Sequence, residues 1–227
     1  MSCAARNPDS QMQQLLKLLS AFALLHGSFA MAIEEPAYDV LLETPAYEVR
    51  RYAAYLVAEV DLDGDFTDAG NAAFRILAGY IFGDNKPGEK MAMTAPVEST
   101  SGEKMKMTAP VTSSSQDDGT RTTFAFVMES KYTRDTLPEP VDSRIRIVER
   151  PARTLAVHRY SGRWTKARYD EHEAVLLEAL QVDQIDAIGA PVFARYNAPF
   201  TPWFLRRNEI MVEISGQLPQ LPDPTEP

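Results

Sequence analysis

The chain has 227 residues, 44% of them hydrophobic and 24% charged, enough apolar content to bury one substantial core and room for a second. Its formal net charge is −9, and no run of Lys or Arg is long enough to form an electrostatic footprint for nucleic acid. This balance excludes a DNA- or RNA-binding role and describes a soluble, self-repelling surface.

From Met12 the sequence reads MQQLLKLLSAFALLHGSFAMA: a cation at Lys17, an apolar run from Leu18 to Leu25, then small residues. Ser28-Phe29-Ala30 and Ala30-Met31-Ala32 both fit a small-x-small cleavage site. Residues 1–32 are therefore expected to be a secretory signal, with Met12 a possible true start and a buried N-terminal helix as the alternative. The apolar run is too short to span a bilayer, so no membrane span is expected in the mature form. Cys3 is the only cysteine and would leave with the signal, which removes disulfides, thiolate nucleophiles and Cys ligands from the mature protein. The expected location is outside the cytoplasm, the periplasm in a Gram-negative host.

Residues 33–46 read as a lead-in. YEVRRY at 47–52 and AYLVAEVDL at 54–62 then form two β-rich runs, broken at Gly64-Asp65. Ala69, Ala72, Ala73, Ile76, Leu77, Tyr80 and Ile81 recur with helical spacing, and Gly83 and Asn85 mark the end of that helix. KMAMTAPV begins at Lys90 and KMKMTAPV at Lys104, almost the same phrase written twice. After the proline-marked crossover TLPEPVDS, the runs IRIVER and TLAVHRYSG lead to a break at Gly162. Thr165 is placed to cap a second helix running to about Gln181, with Tyr169, His172, Leu176, Leu177, Ala179 and Leu180 along its stripe. GAPVFARYN and NEIMVEI supply closing strands, and the acidic, proline-rich residues 216–227 read as a disordered tail. Each half is thus strand–strand–helix–strand–strand. The predicted class is α+β, a pseudo-two-fold antiparallel sheet or barrel with two packing helices.

The repeated phrase admits two readings. Met91, Met93, Met105 and Met107 are soft thioethers that suit Cu(I), particularly in an exported protein. Residues two apart on a strand also share one face, so the same methionines can fill a hairpin core, with ESTSGE as its connector. The hairpin is favoured because no histidine accompanies the methionines. His158 and His172, the histidines left after signal cleavage, sit in different elements with nothing to bring them together, and no metal site is assigned. No G-x-S-x-G, glycine-rich phosphate loop or H-E-x-x-H occurs, and pairs such as Asp170-Glu171 read as a solvated helix face. No catalytic residues are assigned, and the protein is not expected to be an enzyme.

Two segments stand out as binding surfaces. Phe74 lies off the centre of the first helix's apolar stripe, with Asn71, Arg75 and Ala78 as neighbours around the helix. RYNAPFTPWFLRRNE, from Arg195 to Glu209, places Tyr196, Phe200, Trp203, Phe204 and Leu205 among prolines and beside Arg206 and Arg207. So aromatic a loop either packs on its own barrel or offers its rings to a ligand or another protein.

YEVRRY at 47–52, GYIFGDN at 79–85, the two MTAPV phrases and YNAPF…LRRNEI from Tyr196 resemble the SOUL haem-binding family, over residues 47–215. The resemblance implies a distorted antiparallel β-barrel of two related halves flanked by two helices. It also implies haem or another porphyrin in a shallow apolar site between the first helix and the loop before the last strand. Carried over, that site comprises Asn71, Phe74, Arg75, Ala78, Phe200, Trp203, Phe204 and Arg206. Some members place an axial histidine at the fifth position of YEVRRY; here that position is Arg51. The function expected is non-enzymatic binding of a tetrapyrrole or similar flat amphiphile, with Cu(I) handling or a protein-docking scaffold as alternatives.

Overall fold

A computed structural model describes residues 33–64, 66–86, 102–115 and 121–215. The signal-like segment, the first KMAMTAPV phrase and the proline-rich tail lie outside the described residues. In chain order the elements are β1 (Tyr38–Glu43), β2 (Glu48–Tyr52), β3 (Tyr55–Asp63), α1 (Phe66–Phe82), β4 (Asn85–Lys86), β5 (Val111–Ser115), β6 (Arg121–Val127) and β7 (Glu139–Pro140). They continue with β8 (Arg146–Arg150), β9 (Arg153–Tyr160), α2 (Lys166–Val182), β10 (Asp186–Arg195), a 3-10 turn (Trp203–Leu205) and β11 (Asn208–Ser215). Tyr38–Glu43, inside the stretch read from sequence as lead-in, is thus a strand of the sheet, paired with β2.

The large sheet is antiparallel throughout, in the order β1-β2-β9-β11-β10-β5-β6-β3-β8. This order contains the predicted duplication. The first half is β2-β3-α1-β5-β6 and the second β8-β9-α2-β10-β11, and they meet at the β5–β10 seam. The halves are interlocked rather than side by side. Each gives its first strand to the other, β2 pairing with β9 and β8 with β3. A small separate ladder joins β4 to β7.

Both helices follow the logic of their stripes. Ala69, Ala73, Leu77, Tyr80 and Ile81 of α1 pack on Ala58, Val60, Phe124 and Phe126 of β3 and β6. Gly64 and Gly83 bracket this helix with φ of 121° and 122°, values that residues with a Cβ rarely adopt. In α2, Leu176 and Leu180 are buried against Val49, Ala156, Phe193, Ile210 and Val212. Thr165 caps it as predicted, its hydroxyl accepting a hydrogen bond from the Arg168 amide. The opposite face of the sheet carries Val57, Ala125 and Val127 from one half and Leu155, Val157 and Met211 from the other. Residues of both sets line one cavity, so the sheet curls until its two halves face each other.

The second KMKMTAPV phrase does not form a strand; β5 begins only at Val111. Its backbone bonds the end of α1, the Glu34 carbonyl and the Glu129 carboxylate, and the residue before it is held by Asn85 of β4. The Met105 amide donates to the Ile81 carbonyl, and the Asn85 side chain bonds both the amide and the carbonyl of Glu103. Met105 is buried in the α1 core with Met107 packed against it, so packing accounts for this pair of methionines. The other arm of the expected hairpin lies outside the described residues.

Candidate functional site

A cleft of about 440 Å³ opens between the flank of α1, the start of β5 and the loop between β10 and β11. Asn71, Phe74 and Arg75 reach it from α1, because Phe74 sits off the core-facing stripe and is half exposed. Its ring tilts against Phe126 at 5.7 Å between centroids, and Phe124 continues that wall. Across the cleft stands Trp164, from the turn between β9 and α2, its indole N–H donating to Asn208 Oδ1 at 2.7 Å. Arg195 ends β10, and Asn197, Pro199 and Arg206 come from the loop.

The electrostatics are one-sided. Among the described residues, Arg75, Arg195 and Arg206 line the cleft, and no carboxylate does. The Arg206 guanidinium lies 4.1 Å from the centre of the Trp164 ring and donates to the carbonyls of Thr201 and Pro199, which stiffens the loop. Arg195 also approaches the Trp164 and Phe193 rings. Burial pushes the Arg195 guanidinium down to about 10, with neighbouring Arg206 acting in the same direction. An anion entering the cleft would relieve that cost. Ser113, on the floor, keeps a buried hydroxyl with no hydrogen-bond partner among the described residues.

The structure gathers Asn71, Phe74, Arg75 and Arg206 from the sequence-expected set and separates the others. Ala78 is buried and does not line the cleft. Phe200, Trp203 and Phe204 point outward, 90%, 51% and 58% exposed, and none of them lines it. Sequence reasoning missed Ser113, Phe124, Phe126, Trp164 and Arg195. Trp164 carried a local signal, a large aromatic stranded between the Gly162 break and the Thr165 cap. The others follow only from the pairing of β5 with β6 and β10.

The histidines require a correction. They were expected to be separate, yet His158 Nε2 and His172 Nδ1 lie 3.0 Å apart between β9 and α2. His158 Nδ1 donates to the Ala46 carbonyl, which leaves its Nε2 to accept from His172. Among the described residues, no group of three or more His, Cys, Asp or Glu side chains could hold a metal ion.

The chain matches the SOUL heme-binding protein family model over residues 33–213. It belongs to the SOUL family. No curated protein matches it. Among solved structures it resembles the EcmrR C-terminal domain, with a TM-score of 0.54 at 10% identity over 78% of this chain and 98% of that one. It also resembles a hydrolase from Listeria innocua, with a TM-score of 0.52 at 12% identity over 77% of this chain and 94% of the other. At such identities the likeness is one of fold alone. The donor set of this SOUL protein's cleft suits a tetrapyrrole in one respect and not another. Aromatic walls and arginines match porphyrin faces and propionates, whereas among the described residues no His, Cys, Met or Tyr lines the cleft to reach an iron. Among the described residues no helix is long and apolar enough to cross a membrane.

Proposed function

We propose that this SOUL protein is a non-catalytic carrier or sensor that binds haem or a similar anionic tetrapyrrole in the cleft beside α1. Phe74, Phe124, Phe126 and Trp164 would cover the ring faces. Arg75, Arg195 and Arg206 would meet the propionates, with Asn71 and Ser113 offering further polar contacts. The observation that carries the reading is an aromatic-walled cleft lined, among the described residues, by three arginines and no carboxylate, in a protein of net charge −9. Among the described residues the cleft lining pairs no nucleophile with a base, which supports the non-catalytic reading.

Affinity on this reading comes from burying the macrocycle, not from coordination. Binding is expected at micromolar strength, about −8 kcal/mol. Titration with haemin and with metal-free protoporphyrin, followed by the Soret band and Trp fluorescence, tests this. Similar affinities support the reading; no saturable binding of either compound would end it. The signal-like layout of residues 1–32 supports export, with cleavage after Ala30 or Ala32. Intact-mass measurement on protein from the host envelope should then give an N-terminus at Met31 or Ile33, and recovery of only full-length cytoplasmic protein would refute export.

A further inference from the structure

A second cavity, of about 350 Å³, lies inside the curl of the sheet, where the inner faces of the two halves meet. Its walls are apolar at Val57, Ala125, Leu155 and Met211. At one side stands Arg153, the first residue of β9, in an unusual state. Its Nε is buried and has no hydrogen-bond partner among the described residues. Its Nη2 donates to the Tyr55 hydroxyl at 3.2 Å, and its Nη1 is 3.9 Å from the Glu213 carboxylate, too far for a hydrogen bond. A guanidinium is a planar fork whose adjacent N–H groups match a carboxylate, and a buried donor without an acceptor is costly.

Of the other charged groups here, Glu213 approaches only the Nη1 end of Arg153 and forms no hydrogen bond with it. Arg150 is paired with Glu59, and the Glu213 side chain is 42% exposed at the rim. The cavity also has a mouth. Strands β10 and β5 pair only through residues 193–195 and 111–113, so Ser114 and Ser115 have no partner strand on the β10 side. There β10 departs from β11 as well, its register broken between Ile188 and Val192, with Gly189 at φ 70°. Among the described residues, the seam of the pseudo-two-fold is therefore unpaired next to the cavity, and Ser114, Gly189 and Ala190 line both.

We propose that this interior cavity is a separate binding site for a small organic acid, one carboxylate on a short apolar body, with the carboxylate seated against the terminal Nη groups of Arg153. The body lies along Val57, Ala125, Leu155 and Met211, and the Tyr55 hydroxyl, already tied to Arg153, faces the carboxylate. The site does not depend on the tetrapyrrole reading, because it uses the other face of the sheet.

Octanoate is a suitable probe, with octylamine as its cationic counterpart, in calorimetric titrations of the full chain. Octanoate is expected to bind one per chain and octylamine not to bind. Arg153→Met should weaken octanoate at least tenfold, while Arg206→Gln, in the α1 cleft, should leave it unchanged. In the unsubstituted protein, the methyl resonances of Val57, Leu155 and Met211 should shift on adding octanoate, whereas those of Ala73 and Val111 should not. That measurement holds even if the Arg153 variant misfolds. The proposal is overturned by octylamine binding as well as octanoate, by shifts at Ala73 and Val111 instead, by loss of binding in Arg206→Gln, by unchanged binding in a folded Arg153→Met, or by no binding at millimolar octanoate.

Discussion

Arg50 and Glu209, 159 positions apart, form a two-pronged ion pair on the inner face of the sheet, with N–O distances of 3.0 and 3.2 Å. Neither side chain reaches solvent to more than 2%. The Tyr196 hydroxyl and Arg207 Nε also donate to Glu209, so this carboxylate is fully committed. Arg50 belongs to YEVRRY and Glu209 to LRRNEI, two of the phrases that mark the family. Arg50 and Glu209 therefore give these phrases a structural role, beside the Arg206 of LRRNEI that lines the cleft. Glu209→Ala should cost about 3–5 kcal/mol, because it leaves a buried guanidinium uncompensated. Arg50→Met combined with Glu209→Leu should recover much of that loss. Urea denaturation of the single and double variants measures both; a loss of less than 1 kcal/mol in Glu209→Ala would show the pair to be dispensable, on the order of an exposed surface pair.

The histidine contact predicts a pH dependence. Burial, reinforced by the nearby His158, holds the His172 imidazole below the ordinary value of 6.5, with Arg168 acting the same way and Glu171 opposing. Its ring also stacks on Tyr160 at 3.7 Å, which leaves no room for a hydration shell on that face. The unfolded chain thus takes up this proton at a higher pH than the folded one. Stability is full above the ordinary histidine range and declines as pH falls through 6.5 toward the lower folded value. The melting temperature should drop between pH 7.5 and 5.5, and His172→Leu should flatten that slope. An unchanged slope in the variant would assign the acid sensitivity to other groups.

What the sequence revealed and what it hid divide along the range of the interactions. Local periodicity and turn chemistry located α1, α2, the Gly64 and Gly83 boundaries and the Thr165 cap. The internal repeat disclosed two halves, yet not that β2 and β8 are exchanged between them, since strand partnership is a long-range property. The repeated methionine phrase suggested a strand because alternation is compatible with one. Asn85 and the end of α1 captured its backbone first. In the cleft, residues from α1 were legible because an off-stripe aromatic is a local anomaly. Arg195 and Ser113 were not, because each occupies an ordinary strand position and acquires meaning only where β5 meets β10.

Met105 offers a direct test of the packing role. It is buried among Leu77, Ile81, Phe126 and Met128 in the α1 core. Met105→Leu conserves volume and should cost less than about 1.5 kcal/mol. Met105→Ala removes most of the side chain and should cost about 2–5 kcal/mol. Copper content, measured by mass spectrometry after Cu(I) exposure and desalting, should stay at background in both variants and in the parent. A stoichiometric copper signal abolished by Met105→Leu would return the methionines to metal handling.

The cleft makes a sharper claim about which aromatic matters. Trp164 lines it and is fixed by Asn208, whereas Trp203 lies outside it on an exposed turn. If the macrocycle rests against the lining rings, Trp164→Ala should weaken haemin and protoporphyrin alike, by about tenfold or 1.4 kcal/mol each. Phe would preserve an apolar face at that position, so Trp164→Phe should restore most of the affinity, while loss of the Asn208 bond lowers stability modestly. Trp203→Ala should leave both affinities as they were. Because neither histidine lines the cleft, His158→Ala and His172→Ala should not alter the ratio of haemin to protoporphyrin affinity. The measurement is the pair of dissociation constants for each variant. Should Trp203→Ala weaken binding as much as Trp164→Ala, the loop must fold over the bound ring. Should one histidine variant abolish a large haemin preference, iron coordination outside the cleft would replace the hydrophobic clamp as the source of affinity.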